Sequence, residues 1–162
     1  MSDDTFLIRM AEVDDDDFIL GLVPRFTDFP LPPWRRRNEC IGGIREDLAR
    51  HLSDQPAGSF MFIAEDRESG RAVGFVHLKK VQDFFNGRTN CHISDLAVAP
   101  GQEGRGIGRS LLEHAEQWAI EHHCHMLSLA VFPGNERARK LYTENGFDVD
   151  LLRMAKPLKN GP

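Results

Sequence analysis

The stretch "APGQEGRGIGRSLLEHAEQWA", residues 99–119, places four glycines directly before a run of residues with helical spacing. Glycine loses more conformational entropy on folding than any other residue, so this density indicates a backbone that has to stay bare. A glycine loop that opens a helix exposes unpaired N–H groups beside the positive end of the helix dipole. The stretch therefore predicts an anion-binding loop, and phosphate is the anion that fits it best.

The spacing of these glycines excludes two common nucleotide loops. A P-loop requires G-x-x-x-x-G-K-[ST]; counted from Gly101, Gly106 fits the second glycine, but Ile107 stands where lysine is needed. A dinucleotide fingerprint requires G-x-G-x-x-G, and counted from Gly104 its last glycine falls on Arg109. ATP hydrolysis of the P-loop type and NAD binding are therefore not expected.

The chain before this loop predicts an antiparallel meander. Its alternating apolar segments indicate strands over residues 5–10, 59–66, 72–81 and 91–100. Helices are predicted from the acidic run at residues 14–17 onward and over residues 38–53.

The chain after the loop predicts a helix over residues 108–122, a strand over 126–132, a helix over 134–145 and a last strand over 147–158. Gly146 is expected to end the second of these helices in a left-handed cap. The first should bury Leu111, Leu112, Ala115, Trp118 and Ala119. A strand–helix–strand unit at 91–132 should be a right-handed parallel crossover. The fold class is α/β, with a mixed sheet and helices on both faces.

Composition and charge indicate a single domain and argue against nucleic-acid binding and membrane insertion. With 162 residues, 41% of them hydrophobic, the chain suits one domain over 1–162. A net charge of −5 gives no general attraction for nucleic acid. Three cysteines without a C-x-x-C pair favour a reducing compartment. No apolar run is long enough for a bilayer and the N-terminus is acidic, so we expect a soluble cytoplasmic protein without a membrane partner.

Two clusters contain metal-ligating residue types, yet neither predicts a metal site. The aspartates at residues 14–17 are consecutive, so on a helix they would point in different directions. The stretch "EHHCHM", residues 121–126, is also contiguous, whereas tetrahedral zinc sites use spaced ligands.

Two motifs resemble one known family. The run "V-x-P-x-x-E-G-R-G-I-G-R-S-L-L", residues 98–112, resembles the acyl-CoA loop [QR]-x-x-G-x-[GA] of the GNAT superfamily, the acyl-CoA-dependent N-acyltransferases. Gly106 and Gly108 match its last two fixed positions, whereas Glu103 replaces the expected Gln or Arg. The run "GNERARKLYTENGF", residues 134–147, is similar to the family's N-x-x-A-x-x-L-Y-x-x-x-G-F region. Its matching residues are Asn135, Ala138, Leu141, Tyr142, Gly146 and Phe147. With the order of elements, the resemblance covers nearly the whole chain.

The resemblance implies a GNAT-like, mostly antiparallel sheet with a splayed parallel strand pair at the cofactor site. It implies an acetyl-CoA-dependent N-acetyltransferase that moves an acetyl group to a primary amine by direct attack, with acetyl-CoA as co-substrate. The pyrophosphate would lie on the loop and helix start, namely Glu103, Gly104, Arg105, Gly106, Ile107, Gly108, Arg109 and Ser110. Pantetheine would lie along the strand edge of Leu96, Ala97 and Val98, and Asn135, Ala138 and Tyr142 would complete the cofactor site.

The resemblance also implies catalytic roles. The N–H of Val98 would stabilise the oxyanion, and Tyr142 would protonate the leaving thiolate. Asp95 is the first candidate for the general base, directly or through a water. His92 and His77 are the alternatives.

The proline-rich stretch "TDFPLPPWRRR", residues 27–37, is the candidate acceptor wall. Phe29 and Trp34 could supply an apolar or cation-binding surface, and Arg35 could bind a carboxylate on the acceptor. Packing of Trp34 on the core is an alternative. The acceptor is expected to be a small-molecule amine or a peptide, and homodimers are frequent in families of this kind.

Two other functions remain open at this point. An acyl-CoA-binding sensor without turnover would be compatible with Glu103 in place of Gln or Arg. A protein-interaction domain built around the proline-rich stretch is the other.

Overall fold

The structure is a computed structural model that describes residues 5–159. It contains one five-stranded sheet whose strands lie side by side in chain order. The strands are β1 (Phe6–Met10), β2 (Ser59–Asp66), β3 (Ala72–Gln82), β4 (Thr89–Val98) and β5 (Leu127–Leu129). The first four are antiparallel and β4 pairs with β5 in parallel, which confirms the mixed, mostly antiparallel sheet.

Helices cover both faces of the sheet, as expected. They are α1 (Asp16–Gly21), α2 (Arg37–Asp54), α3 (Ile107–Glu121) and α4 (Glu136–Glu144), with short 3-10 helices at Val13–Asp15 and Val23–Thr27. Helix α3 packs on one face through Leu111, Leu112, Ala115, Trp118 and Ala119, the residues that the spacing predicted. Helices α1 and α2 pack on the other face.

A register shift in β4 determines which side chains reach which face. His77 on β3 lies opposite Asp95, but the next residue, Leu78, lies opposite Ile93. The extra residue, Ser94, is a β-bulge, which reverses the alternation of the following side chains. As a result Ile93 faces α3 while Asp95 faces α2.

The parallel pair separates early. Pairing between β4 and β5 runs from Cys91 opposite Leu127 to Ile93 opposite Leu129 and then ends. Strand β5 is therefore shorter than the predicted 126–132, and β4 continues to Val98 without a neighbour on that side among the described residues. This is the expected splayed pair.

The predicted last strand over residues 147–158 is wrong. The structure has no strand in this segment. Phe147 packs against the core, but Val149, Leu151, Leu152 and Met154 are between 70% and 89% exposed. The segment has strand-like composition, but β5 is only three residues long and offers little edge to pair with. Strand propensity without a partner strand does not give a strand. Gly146, with φ +89°, does end α4 in the left-handed conformation.

Candidate active site

A cavity of about 450 Å³ opens where β4 and β5 separate. Its walls come from both faces of the sheet: Phe26, Phe29 and Asp95 from the α2 side, and Leu141 and Tyr142 from α4. Two reactants can therefore meet in the gap from opposite sides of the sheet.

The glycine loop forms one end of this cavity. Gly104 and Gly106 have φ of +80° and +81°, a left-handed conformation that favours glycine. Gly106 is the N-cap of α3 and contributes no side chain. The N–H groups from Gly104 to Arg109 donate to no other residue in the described part of the chain. The loop therefore presents consecutive free N–H groups at a helix N-terminus, which is an anion site.

Glu103 has a partner that the sequence did not predict. Its carboxylate is paired with the guanidinium of Arg25, from the second 3-10 helix, and both line the cavity. Hydrogen bonding to its own N–H, together with Arg25, lowers the pKa of Glu103. The carboxylate is thus charged but locally neutralised. Glu103 in place of Gln or Arg was the only support for the sensor alternative, and with its charge offset by Arg25 this carboxylate does not oppose phosphate at the loop.

Two predicted cofactor residues, Arg105 and Ser110, lie outside the cavity lining. The Arg105 guanidinium is 2.8 Å from Asp66 and stacks over the Phe6 ring. Arg109 does line the cavity, and its Nε bonds Glu113 at 3.0 Å.

The strand edge supplies further backbone donors. The N–H of Ala99 donates to the Val73 carbonyl on β3 at 2.8 Å. Successive N–H groups of a strand point to opposite edges, so the N–H of Val98 points into the gap. Leu96, Ala97 and Val98 all line the cavity there.

Of the three candidate bases, the structure brings only Asp95 to the cavity. Its side chain is 10% exposed, Oδ2 accepts a bond from His77 Nδ1 at 3.0 Å, and Oδ1 has no partner among residues 5–159. His77 is fully buried and cannot touch a substrate. His92 bonds Ser128 outside the lining, and burial lowers its pKa.

Tyr142 lies on α4 with its ring 5.8 Å from that of Phe147. Burial raises its pKa to about 12, and its hydroxyl has no hydrogen-bond partner in the part of the chain described. Asn135 is the N-cap of α4, where its Oδ1 accepts from the Ala138 N–H at 3.3 Å. Tyr142, Asn135 and Ala138 line the cavity.

The proline-rich segment contributes less than expected. Phe29 lines the cavity and contacts the Phe132 ring at 5.9 Å, but Trp34 is 46% exposed and, like Arg35, lies outside the lining. The packing alternative for Trp34 therefore fails as well. The wall also includes residues outside both motifs, namely Arg25, Phe26, Ile44, Ser94 and Phe132, and two at variable positions within them, Gln102 and Arg137. Their roles depend on tertiary contacts, so local spacing carried no signal for them.

Side chains of the acidic cluster at residues 14–17 and of the histidine-rich cluster at residues 121–126 contact other protein groups. Asp15 pairs with Arg9 at 2.7 Å, and the His122 ring stacks on Trp118. Residues 5–159 contain no group of three or more His, Cys, Asp or Glu side chains that could hold a metal ion. No helix in the same range has the length and apolarity needed to cross a membrane.

Both the splayed parallel pair and the glycine cradle belong to one class of protein. The acetyltransferase (GNAT) family model matches residues 20–147, and the chain belongs to this family. It is an acetyl-CoA-dependent N-acetyltransferase.

Known proteins support this assignment. Streptothricin acetyltransferase of Streptomyces lavendulae is 44% identical over 143 residues, which are 88% of this chain and 69% of that protein. The N-acetyltransferase YhfO of Bacillus subtilis (strain 168) is 28% identical over 143 residues, 88% of this chain and 90% of that one. A solved putative acetyl transferase from Pyrococcus furiosus has a TM-score of 0.72 and 26% identity, covering 94% of this chain and 99% of its own.

Proposed function

We propose that the protein acetylates the primary amine of a small cationic molecule, with Asp95 as general base and Tyr142 as general acid. The observation that carries this proposal is the cavity in the β4–β5 gap, which Asp95 lines from one face of the sheet and Tyr142 from the other. In direct attack the amine adds to one face of the thioester carbon, so the base must lie on that face, whereas the acid must reach the sulfur, a different substituent of the same carbon. A base and an acid on opposite sides of the gap suit that geometry.

Acetyl-CoA would bind by its backbone contacts. The free N–H groups from Gly104 to Arg109 would hold the pyrophosphate. The pantetheine arm would pair with the open edge of β4 at Leu96 to Val98, as an added strand would. Ala138 and Asn135 form the opposite wall.

The reaction moves two protons from the ammonium, one to Asp95 and one, by way of Tyr142, to the leaving sulfur. Asp95 takes a proton from the ammonium, and the amine nitrogen attacks the thioester carbon. The carbonyl oxygen becomes an oxyanion that accepts from the Val98 N–H. The C–S bond breaks as Tyr142 protonates the sulfur. The second proton of the attacking nitrogen restores the Tyr142 hydroxyl, and Asp95 releases its proton to water.

The high pKa of Tyr142 is compatible with this role. Burial raises the pKa of Tyr142 to about 12, so the phenol is protonated at neutral pH and has a proton to donate. Desolvation also raises the pKa of a thiol, so a CoA thiolate in the cavity would accept a proton more readily than in water.

The acceptor class is supported by the cavity walls and by one relative. Asp95 offers a carboxylate to an ammonium, and the rings of Phe26 and Phe29 lie on the same side of the sheet. Streptothricin acetyltransferase, a relative named for a small-molecule acceptor, is 44% identical. Trp34 and Arg35 are not part of this proposal.

We also propose that the protein works in the cytoplasm as a homodimer. Three free cysteines, Cys40, Cys91 and Cys124, support a reducing compartment. The exposed apolar side chains of residues 149–154 support burial against a second copy. Sedimentation equilibrium tests the dimer: a monomeric mass at micromolar concentration contradicts it.

An acceptor panel tests the proposed reaction. CoA release from acetyl-CoA is measured with streptothricin, an aminoglycoside, a polyamine and a lysine peptide. We expect turnover with a small-molecule amine, a fall in kcat of about 10²-fold or more in Tyr142→Phe, and little change in the KM for acetyl-CoA. Ser53→Ala, at an exposed position of α2, is the matched control. No release above the blank with any amine contradicts the proposal.

A further inference from the structure

Four polar side chains form a continuous hydrogen-bonded chain on the α2 side of the sheet. His77 Nδ1 is 3.0 Å from Asp95 Oδ2, and His77 Nε2 is 2.7 Å from the Ser59 hydroxyl. The same hydroxyl is 2.8 Å from His51 Nδ1 on α2. The chain thus crosses β4, β3 and β2 and ends on a helix. The core around it is apolar and comprises Leu48, Met61, Ile63, Phe75 and Ala97.

The middle of this chain is an unusual component of an apolar core. His77 is fully buried, and a buried imidazole is costly unless both nitrogens are bonded. Both are bonded here. Hydrophobic residues of similar volume often stabilise a core as well as a buried polar pair does. Packing alone therefore does not account for this hydrogen-bonded chain of side chains. Asp95, at its inner end, lines the cavity.

The directions of the hydrogen bonds follow from the chemistry of each group. An ionised carboxylate only accepts, so His77 carries its proton on Nδ1. In the neutral ring Nε2 then accepts from the Ser59 hydroxyl. That hydroxyl has one proton, so its oxygen accepts from His51 Nδ1. Every donor in the chain points towards Asp95.

The outer end is anchored near the surface. His51 Nε2 lies 3.6 Å from Asp47, which also faces Lys79 at 3.8 Å. Burial lowers the pKa of His51, as does the proximity of His77. Both effects favour the neutral ring, and in that state His51 can carry its proton on Nδ1 and donate it to Ser59.

We infer that His77, Ser59 and His51 are positioning residues that hold the Asp95 carboxylate with Oδ1 towards the acceptor amine. This inference rests on the proposed role of Asp95 as general base. With Oδ2 fixed by His77, the free oxygen has one orientation left, and the β4 bulge brings the carboxylate opposite His77. Small errors in the position of a reacting group lower the rate by large factors. We therefore expect loss of any of these hydrogen bonds to lower kcat.

The first experiment interrupts the hydrogen-bonded chain of side chains by removing the Ser59 hydroxyl. CoA release from acetyl-CoA is followed with streptothricin and, in a second arm, with water as the only acceptor, because both nucleophiles need a base. Ser59→Ala should lower kcat about tenfold with an unchanged KM for acetyl-CoA. Ser59→Thr restores the hydroxyl on a β-branched side chain that suits a strand, and most of kcat should return. Ser53→Ala is the control.

The second pair of variants separates orientation from packing. The amide nitrogen of asparagine can take the place of His77 Nδ1 as donor to Asp95, whereas leucine cannot. His77→Asn should therefore keep a kcat well above that of His77→Leu, although both lose the bond to Ser59. Equal kcat in the two variants, with both folded by circular dichroism, overturns the inference.

The remaining outcomes are distinct. If Ser59→Ala matches Ser53→Ala, or if Ser59→Thr fails to restore kcat, the chain does not position the base. If Asp95→Asn retains wild-type kcat, the proposed base is wrong, and the inference falls with it while acetyl transfer stands. If the wild type releases no CoA with water, with streptothricin or with any other amine of the acceptor panel, the proposed function itself is contradicted.

Discussion

Tyr142 allows a direct test of the environment proposed for the general acid, since it is the only tyrosine in the chain. Its phenolate absorbance can be followed during a pH titration without assignment of signals. The ordinary pKa is 10.0, and burial raises it to about 12. We expect the folded protein to show a phenol that remains protonated well beyond the pH at which the unfolded chain ionises.

The sign of the stability effect follows from this shift. Because the folded state holds the proton more tightly, the unfolded chain binds fewer protons between about pH 10 and 12, and stability falls as pH rises through this window. Two pKa units at 1.36 kcal/mol each correspond to a loss of about 2–3 kcal/mol. Below this window the contribution of Tyr142 does not vary with pH.

The assay compares wild type with Tyr142→Phe. Urea unfolding is measured at about pH 8 and pH 11, where about half of this loss, roughly 1.4 kcal/mol, is expected. The ultraviolet titration is run in buffer and in denaturant. Other groups that titrate in this range act on both proteins, so the difference between them isolates Tyr142. A folded-state phenol that ionises near its ordinary pKa, or the same alkaline loss in Tyr142→Phe, refutes the reasoning.

Three further variants and one control test how closely individual positions are packed. A Cβ on Gly134 would lie 2.0 Å from the Pro30 carbonyl oxygen, so Gly134→Ala should displace the segment beside Phe29 by about 1 Å and lower kcat/KM for the acceptor about 10²-fold. The control is Gly43→Ala, whose Cβ would have nothing within 4 Å and which should leave kcat/KM unchanged. Equal kcat/KM values in the two variants would contradict the Gly134–Pro30 contact. Leu111→Ala, at a fully buried position, should cost about 2–5 kcal/mol in urea unfolding. Phe84→Ser, 93% exposed, should change stability by less than about 0.5 kcal/mol, and a larger loss would mean that this ring is packed.

Local sequence was sufficient for features that depend on local chemistry. The left-handed cap at Gly146 and the amphipathic face of α3 follow from backbone freedom and from helical periodicity. The two hairpins, β2–β3 and β3–β4, follow from their short turns at residues 67–71 and 83–88, which place consecutive strands side by side.

Features that depend on distant partners were not predictable in the same way. The bulge at Ser94 is visible only in the pairing with β3, yet it decides that Asp95 meets His77. Arg25 is 78 residues from Glu103 in sequence, and no motif connects them. The segment after Gly146 has strand-like residues, but whether it becomes a strand depends on an edge that β5 does not extend far enough to offer.

The most direct test of the central claim is thermal unfolding with acetyl-CoA, free CoA, NAD and ATP in parallel. If the N–H groups from Gly104 to Arg109 and the open edge of β4 bind acetyl-CoA, a concentration about a hundred times its Kd should add about 2.7 kcal/mol to stability. The account predicts a raised unfolding temperature with the two CoA species alone. No shift with CoA, or a larger one with NAD or ATP, would contradict it.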